Sequence, residues 1–593
     1  MGKKGTSILA AALTASLLLM MPSCGQQGEA REKSGADLVL TNGVVYTVDK
    51  VGSMAEAVAV KDGMILFVGD SAGAEEYVGN NTKVMDLEGK MLLPGMIDSH
   101  LHPMVMELAK RYKLDLSECA TEAETMEAVE EYVAAHPEMD EYFGDLFSLG
   151  AFGGIEAVKG PRKERLDAVS ADKPIVLGSY DGLTVWLNSK AFELAGITKD
   201  TPDPAGGEIT RDAGGELWGT LKADAIKLAP KQEFTFEQKT GALRDFQSFM
   251  NSLGYTAIFA APYEYEAPLA EFRELENNGA LALRVNGAIG IYQDRDLKEQ
   301  LDNVVALREE YADGAIRLTT VKFFADGVVE GLSADLLEPY SIRDENGDNI
   351  NGYTRYDYDK MKDAFVEAAK LGLQIHVHSI GDASTRHVLD NFEYMEEKVP
   401  GGRDLRNSIT HLQLVAPSDL PRFKELNITA VVQPFWHFKE VDWWEVIDYP
   451  MLGQRAEFEY PLKSLFDAGA VVASASDHAV VPVPNPFWAI ETGITRNLNN
   501  PESCGVEDIA DMDDPTYLLN SAERATLDEM IRSYTINGAY NLLRENEIGS
   551  IEAGKLADMI VIDRDITVTD PIDIDKIEVL YTFFNGEIVY SAE

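Results

Sequence analysis

An α/β fold flanked by a small β-sandwich is what this sequence predicts, and three observations lead there. Short apolar runs read as buried strands, and several of them end in histidine or aspartate. The stretch from Asp37 to about Met91 alternates apolar and polar positions between turn signals. Val579 to Tyr590 repeats that alternation at the other end of the chain.

At the N-terminus, Lys3 and Lys4 precede the apolar run Ile8 to Met21, which is followed by Ser23-Cys24-Gly25. This reads as a secretory signal over 1–23 with a lipoprotein-type cysteine at Cys24, too short for a membrane-spanning helix. Met21 and Pro22 depart from an ideal lipidation motif. The polar stretch 24–36 reads as a tether. The expected location is the cell envelope, outside the cytoplasm, with a lipid anchor on Cys24.

The β pattern that follows turns at Asn42-Gly43, Lys61-Asp62-Gly63 and Glu88-Gly89. With Asn585-Gly586 as the turn of the C-terminal pair, residues 37–93 and 545–593 are expected to form one β-sandwich. Leu92-Leu93-Pro94-Gly95 then leads into Met96-Ile97-Asp98-Ser99-His100-Leu101-His102. Side chains two apart on a strand share a face, so His100 and His102 could grip one ion while Leu101 faces the wall. The stretch from about 103 to 248 is too long for one strand–helix unit and reads as an insertion over the site. Within it, Ala120 to Asp140 is an acidic, helical-looking segment whose charges read as a solvated face.

Further along lie Lys322 inside Leu318–Phe324, His376 and His378 in Ile375-His376-Val377-His378-Ser379-Ile380-Gly381-Asp382, His411 in Ile409-Thr410-His411, and Asp477 after Ala473-Ser474-Ala475-Ser476. Imidazole and carboxylate are the ligands that zinc and similar divalent ions accept. A lysine within an apolar strand is costly as a cation, and burial lowers its pKa. It either pairs with an acid such as Asp326 or serves the site. His376 shares a face with His378 and reads as a substrate contact or a support for the ligands. Gln433-Pro434-Phe435-Trp436-His437-Phe438 stands at an expected strand end, so Trp436 and His437 are candidates to contact substrate. Trp186, Trp443, Trp444 and Trp488 read individually as core. Arg496 could bind an anionic group or form an internal salt bridge.

Composition bounds the partners. Lys and Arg number 52 against 100 Asp and Glu, a formal net charge of −48. Such a surface disfavours nucleic acid, whose phosphates need cations. A small-molecule substrate is expected, with homodimerisation left open. Cys119 and Cys504 are the cysteines beyond Cys24, too few for a disulfide framework.

The segments Leu93–His102, Asp326-Gly327 with Leu336-Leu337-Glu338-Pro339-Tyr340, and Gly549–Asp558 resemble the amidohydrolase superfamily, specifically the subgroup (amidohydrolase family 3) that includes N-substituted formamide deformylases and exoenzyme-regulatory-like proteins. The resemblance covers the chain from about Ala36 onward. It implies a (β/α)8 TIM barrel over 94–544, with metal ligands at the C-terminal ends of the strands. Carried over residue by residue, it implies His100, His102, His378, His411 and Asp477 as ligands of one or two divalent ions, zinc foremost, and Lys322 as a carboxylated bridging lysine. The reaction it implies is hydrolysis of an amide or related C–N bond. The expected nucleophile is a metal-bound hydroxide, with Asp477 moving the proton and His411 stabilising the developing oxyanion. Two departures fall in expected substrate loops: Leu183 stands where the family usually has histidine, and Ala223 where it usually has an acid. A mononuclear deaminase, which needs no carboxylated lysine, and a non-catalytic ligand-binding lipoprotein are the alternatives.

Overall fold

The computed structural model describes residues 35–592 apart from 180–183, 205–206, 263–266, 313, 344–346 and 442. The signal, most of the tether, Cys24 and Leu183 lie outside the described residues.

Eight strands form one sheet in chain order: β1 Met96–Leu101, β2 Tyr255–Ala260, β3 Arg284–Gly290, β4 Ile316–Phe324, β5 Gln374–Ser379, β6 Ser408–His411, β7 Thr429–Val432 and β8 Val471–Ser474. Each neighbouring pair is parallel. Parallel neighbours require crossovers, and helices supply them. These are α1 Phe236–Ser252, α2 Leu269–Asn277, α3 Leu297–Glu310, α4 Tyr358–Lys370, α5 Asp382–Lys398, α6 Leu420–Glu425 and α7 Leu462–Asp467, with α8 Leu527–Ser533 after β8. The sheet curls until its ends meet: the Asp477 amide donates to the His100 carbonyl at 2.9 Å, and the His102 amide donates to the His478 carbonyl. The result is a (β/α)8 barrel.

Local sequence explains the pieces. β2, β3 and β5 are buried at every position, as strands covered on both faces must be. α4 starts where the Asp357 side chain accepts the Lys360 amide, and it buries Met361, Ala364, Phe365 and Ala368 on one stripe. Gly95 precedes β1 because a Cβ there would lie 2.2 Å from Thr256 Oγ1.

Both chain ends build the flanking β domain. Met91–Pro94 pairs antiparallel with Met559–Ile562, so the segment entering β1 is stitched to the C-terminal return. A four-stranded and a six-stranded sheet pack face to face through Leu38, Leu40, Val58, Leu92, Val561 and Phe583. The Asn585-Gly586 hairpin has positive φ at both residues, 51° and 76°, as a tight two-residue turn requires.

Between β1 and β2 the chain makes a separate six-stranded sheet spanning Leu114–Ala223. Its core includes Trp186, which is fully buried. The acidic segment is a helix over Glu122–Ala135, with Thr121 and Glu124 forming a capping box. The expected insertion limit near 248 falls inside α1. That helix packs on α2 and the barrel sheet, so the inserted sheet ends before it.

Candidate metal centre

The mouth of the barrel gathers the ligand candidates. His100 Nε2 and His102 Nε2 lie 3.3 and 3.2 Å from Asp477 Oδ1. The ligand atoms of these three residues all fall within 4.8 Å of one another. His411 Nδ1 is 4.0 Å from Asp477 Oδ2, and the His411 ring centroid is 5.2 Å from His100 and 4.6 Å from His378. His411 and Asp477 hold left-handed backbone, φ 80° and 60°, which turns both side chains as their strands end. Non-glycine residues accept that strain only where surrounding structure enforces it.

Each histidine has one nitrogen occupied by protein. His100 Nδ1 meets His376 Nε2 at 2.7 Å, and His102 Nδ1 meets the Ala261 carbonyl at 3.3 Å. His378 Nε2 meets the Gly327 carbonyl at 3.1 Å, and His411 Nδ1 meets Gln433 Oε1 at 3.2 Å. A neutral imidazole that donates through one nitrogen keeps a lone pair on the other. Burial holds His100, His376 and His411 well below the ordinary imidazole pKa, with His378 pushed down to about 3. Burial raises the Asp477 pKa, but the close approach of His102 and the proximity of His411 and Lys322 outweigh it and hold the carboxylate below its usual value. Neutral imidazoles and an ionised carboxylate are the forms a divalent ion binds.

Lys322 completes the set. It projects from β4, is fully buried, and its Nζ has no hydrogen-bond partner among the described residues. Burial lowers its pKa to about 7, partly opposed by the Asp477 charge. Asp477 Oδ1 is likewise buried with no hydrogen-bond partner. An orphaned amine and an orphaned carboxylate oxygen beside four imidazole lone pairs are what a metal centre would satisfy, so these residues fit one.

The family model described as "Amidohydrolase family" matches residues 83–590. The chain belongs to the amidohydrolase family. It is 29% identical over 573 residues to the N-substituted formamide deformylase of Arthrobacter pascens, covering 93% of this chain and 98% of that one. It is 28% identical over 570 residues to Protein LONG AFTER FAR-RED 3 of Arabidopsis thaliana, covering 94% and 92%. Its fold matches an uncharacterised metal-dependent hydrolase of Pyrococcus horikoshii OT3 with a TM-score of 0.71 at 22% identity, covering 90% and 99%.

Not every residue singled out in this amidohydrolase reaches the mouth. His376 is fully buried beneath the ligands, its Nε2 on His100 and its Nδ1 on Ser408 Oγ at 2.6 Å. With both ring nitrogens engaged inside the protein, it is placed to support a ligand candidate. Arg496 donates Nε to Leu519 O at 3.0 Å, Nη1 to Tyr460 O at 3.1 Å and Nη2 to Glu459 O at 3.0 Å. With zero exposure and Nε, Nη1 and Nη2 each donating to a backbone carbonyl, it clamps loops together. His437 is fully buried and stacks on the Tyr460 ring at 4.7 Å. Trp436 stacks over His411 at 6.2 Å and stands at the site. Trp444 lies in the core, as the sequence reading expected of an isolated tryptophan. Ala223 ends the last strand of the inserted sheet and is exposed. Cys119 and Cys504 are both free.

Two buried acids act as further supports, one of them Asp326, which the sequence offered as a partner for Lys322 and which accepts backbone amides. Asp98 accepts the His100 and Ser476 amides at 3.0 and 3.2 Å, tying β1 to β8, and burial raises its pKa to about 7. Asp326 accepts the amides of Asp335, Ile380 and Gly381 at 2.9–3.0 Å, and burial raises it to about 7 as well. Both acids stood inside quoted motifs. An acid within an otherwise apolar strand or at its end was the available signal.

Proposed function

We propose that this chain is a metal-dependent hydrolase that cleaves an amide or related C–N bond of a small molecule. The observation that carries the reading is the buried, unpartnered Lys322 Nζ within the ring of His100, His102, His378, His411 and Asp477. A lysine at that depth with a lowered pKa has the free amine that carbon dioxide converts to a carbamate, an anionic ligand for two ions. The Arthrobacter relative, a formamide deformylase by name, supports the choice of a C–N bond.

Zinc suits the histidine and carboxylate donors, and a bound divalent ion supplies Lewis acidity and a water that ionises near neutral pH. Asp477 takes the proton from the attacking water and returns it to the leaving amine, since it is ionised and central. His411 acts as a ligand in preference to an oxyanion donor. Its Nδ1–H is directed at Gln433 Oε1, so the remaining nitrogen carries a lone pair. Trp436 forms part of the wall against which the substrate lies.

Elemental analysis of the mature chain prepared with bicarbonate tests this. Two metals per chain, reduced to one or none by Lys322→Ala, is the expected result. One metal indifferent to that change points to the mononuclear deaminase, and none after reconstitution overturns the hydrolase. We also propose an envelope lipoprotein anchored at Cys24, a reading supported by the leader sequence. Cys24→Ala should release the protein from the membrane fraction.

A further inference from the structure

We infer that an acidic recess at the barrel mouth holds a cationic group of the substrate, a guanidinium or ammonium remote from the bond that is cut. This deepens the C–N hydrolase reading and rests on it. The recess is built by the loops that follow β4, β6 and β7, the strands that end in Lys322, His411 and Trp436 of the centre. Glu330 lies three residues past Gly327, whose carbonyl meets His378, and Gln413 lies two residues past His411. Val329, Leu414 and Trp444 share one apolar cluster, which brings the three loops together.

Four acids meet there. The Glu440 carbonyl accepts the Trp444 amide at 3.0 Å and so opens the turn Trp444–Asp448. Gln413 Nε2 donates to Glu459 Oε1, and the Tyr460 amide donates to the Gln413 carbonyl at 2.8 Å. Glu330 and Glu440 keep open surface, yet desolvation by the walls around them raises the pKa of both, as in a recess open on one side. Behind them Asp448 is 7% exposed and Glu459 is fully buried. Burial first, then the charges of Glu440 and Glu330, push Asp448 up to about 7. Burial, and after it the charges of all four acids, hold the Tyr460 hydroxyl well above its usual pKa.

Unsatisfied atoms point to a ligand. Asp448 Oδ1 and Glu459 Oε2 are buried without a hydrogen-bond partner. So are both ring nitrogens of His437, whose ring lies on that of Tyr460. The cations of the same loops are committed elsewhere. Lys439 pairs with Glu457 at 3.2 Å, and Arg455 donates to the Glu338 and Pro339 carbonyls at 2.8 and 2.7 Å. Between residues 35 and 592, no position outside the described residues is a lysine or arginine. Carboxyls gathered in a desolvated place without a cation are costly, and a cationic ligand removes that cost. Spacing decides its class. Among the described residues, only His100, His102 and Asp477 bring three ligand atoms within 4.8 Å of one another. The acids of the recess are too spread for one metal ion, whereas an organic cation reaches several carboxylates through its separate N–H groups. A bound substrate would place its C–N bond at the metal ligands and its cation between Glu330 and Glu440, with Asp448 behind.

The test compares N-(4-guanidinobutyl)formamide with N-(4-ureidobutyl)formamide, which differ by the cation, on the zinc-loaded mature chain. We expect kcat/KM to favour the guanidinium compound at least tenfold. The double substitution Glu330→Gln with Glu440→Gln should bring that ratio down at least tenfold while metal content stays the same. Glu130→Gln with Glu131→Gln, on the solvated helix Glu122–Ala135, should leave the ratio where it was. A wild-type ratio near one overturns the inference while leaving the hydrolase intact. A large ratio that survives the first double substitution overturns it too, because the cation is then read elsewhere. An equal fall in both double variants assigns the preference to net charge and also overturns it. If neither compound turns over, calorimetry with butylguanidinium against butylurea decides. Preferential binding of the cation, weakened at least tenfold by Glu330→Gln with Glu440→Gln, upholds the recess apart from the formamide chemistry, and its absence overturns it.

Discussion

A neutral imidazole binds a metal through one nitrogen, so the partner of the other nitrogen decides whether the ring of ligands closes. For His100 that partner is His376. If His100 offers Nε2 to an ion, its Nδ1–H donates to His376 Nε2, and the His376 proton then sits on Nδ1 and donates to Ser408 Oγ. The opposite wiring, started by the serine hydroxyl, would place a proton on His100 Nε2 and block the ion. His376→Phe should therefore weaken metal affinity by about 10- to 100-fold. His376→Gln, whose side-chain oxygen can still accept from His100, should recover most of it. Chelator competition measures both without reference to activity, and equal weakening in the two variants would show that the contact is merely steric. The candidate ligand histidines were legible because strand ends and His-x-His spacing are local patterns. The role of His376 was not. Two histidines two apart share a face whatever their depth, and depth is set by the register that pairs His376 with Lys322 and Ser408.

Elements reveal where charge was hidden. The helix Pro486–Thr495 carries Glu491, which is 2% exposed and accepts the Asp575 amide at 2.8 Å. Burial first, and the neighbouring Asp575 charge second, raise its pKa to about 9 from the ordinary 4.5. Across that window the native state keeps a proton that the unfolded chain releases, so stability falls as pH rises from about 4.5 toward 9. Between pH 6 and 8.5 the wild type should lose on the order of 1–3 kcal/mol more than Glu491→Gln, a figure scaled from about 1.4 kcal/mol per unit. Denaturant melts at the two pH values compare them, and parallel losses would place the pH dependence in other groups. The same helix ends in Arg496 at φ 58°, whose fork binds carbonyls from two distant loops. Sequence left Arg496 between anion binder and internal partner. Only the folding of residues 459–460 and 519 around it supplied the acceptors.

At the scale of the whole molecule, barrel and β domain are joined by charge as well as by strands. Arg284, which opens β3, donates Nε to Asp558 Oδ2 at 2.6 Å and Nη2 to Asp558 Oδ1 at 2.9 Å, with both side chains almost fully buried. Removing one partner of a buried pair strands the other charge. Asp558→Ala should lower stability by about 3–5 kcal/mol, read as a shifted unfolding midpoint. An unchanged midpoint would mean that Arg284 finds water or Asn585 sufficient. Asp558 closed a motif quoted from the C-terminus, yet nothing local tied it to an arginine 274 residues earlier. That contrast holds throughout. Alternation, turn chemistry and ligand spacing are short-range, so the sequence by itself determined the strand ends, the turns at Asn585-Gly586 and the candidate ligands from His100 to Asp477. Tertiary structure alone decided that β1 and β8 meet so that Asp477 reaches His100, and that His376 and Arg496 are buried supports. Those outcomes depend on distant segments closing around one core, and a residue's neighbours in space are not written in its neighbours along the chain.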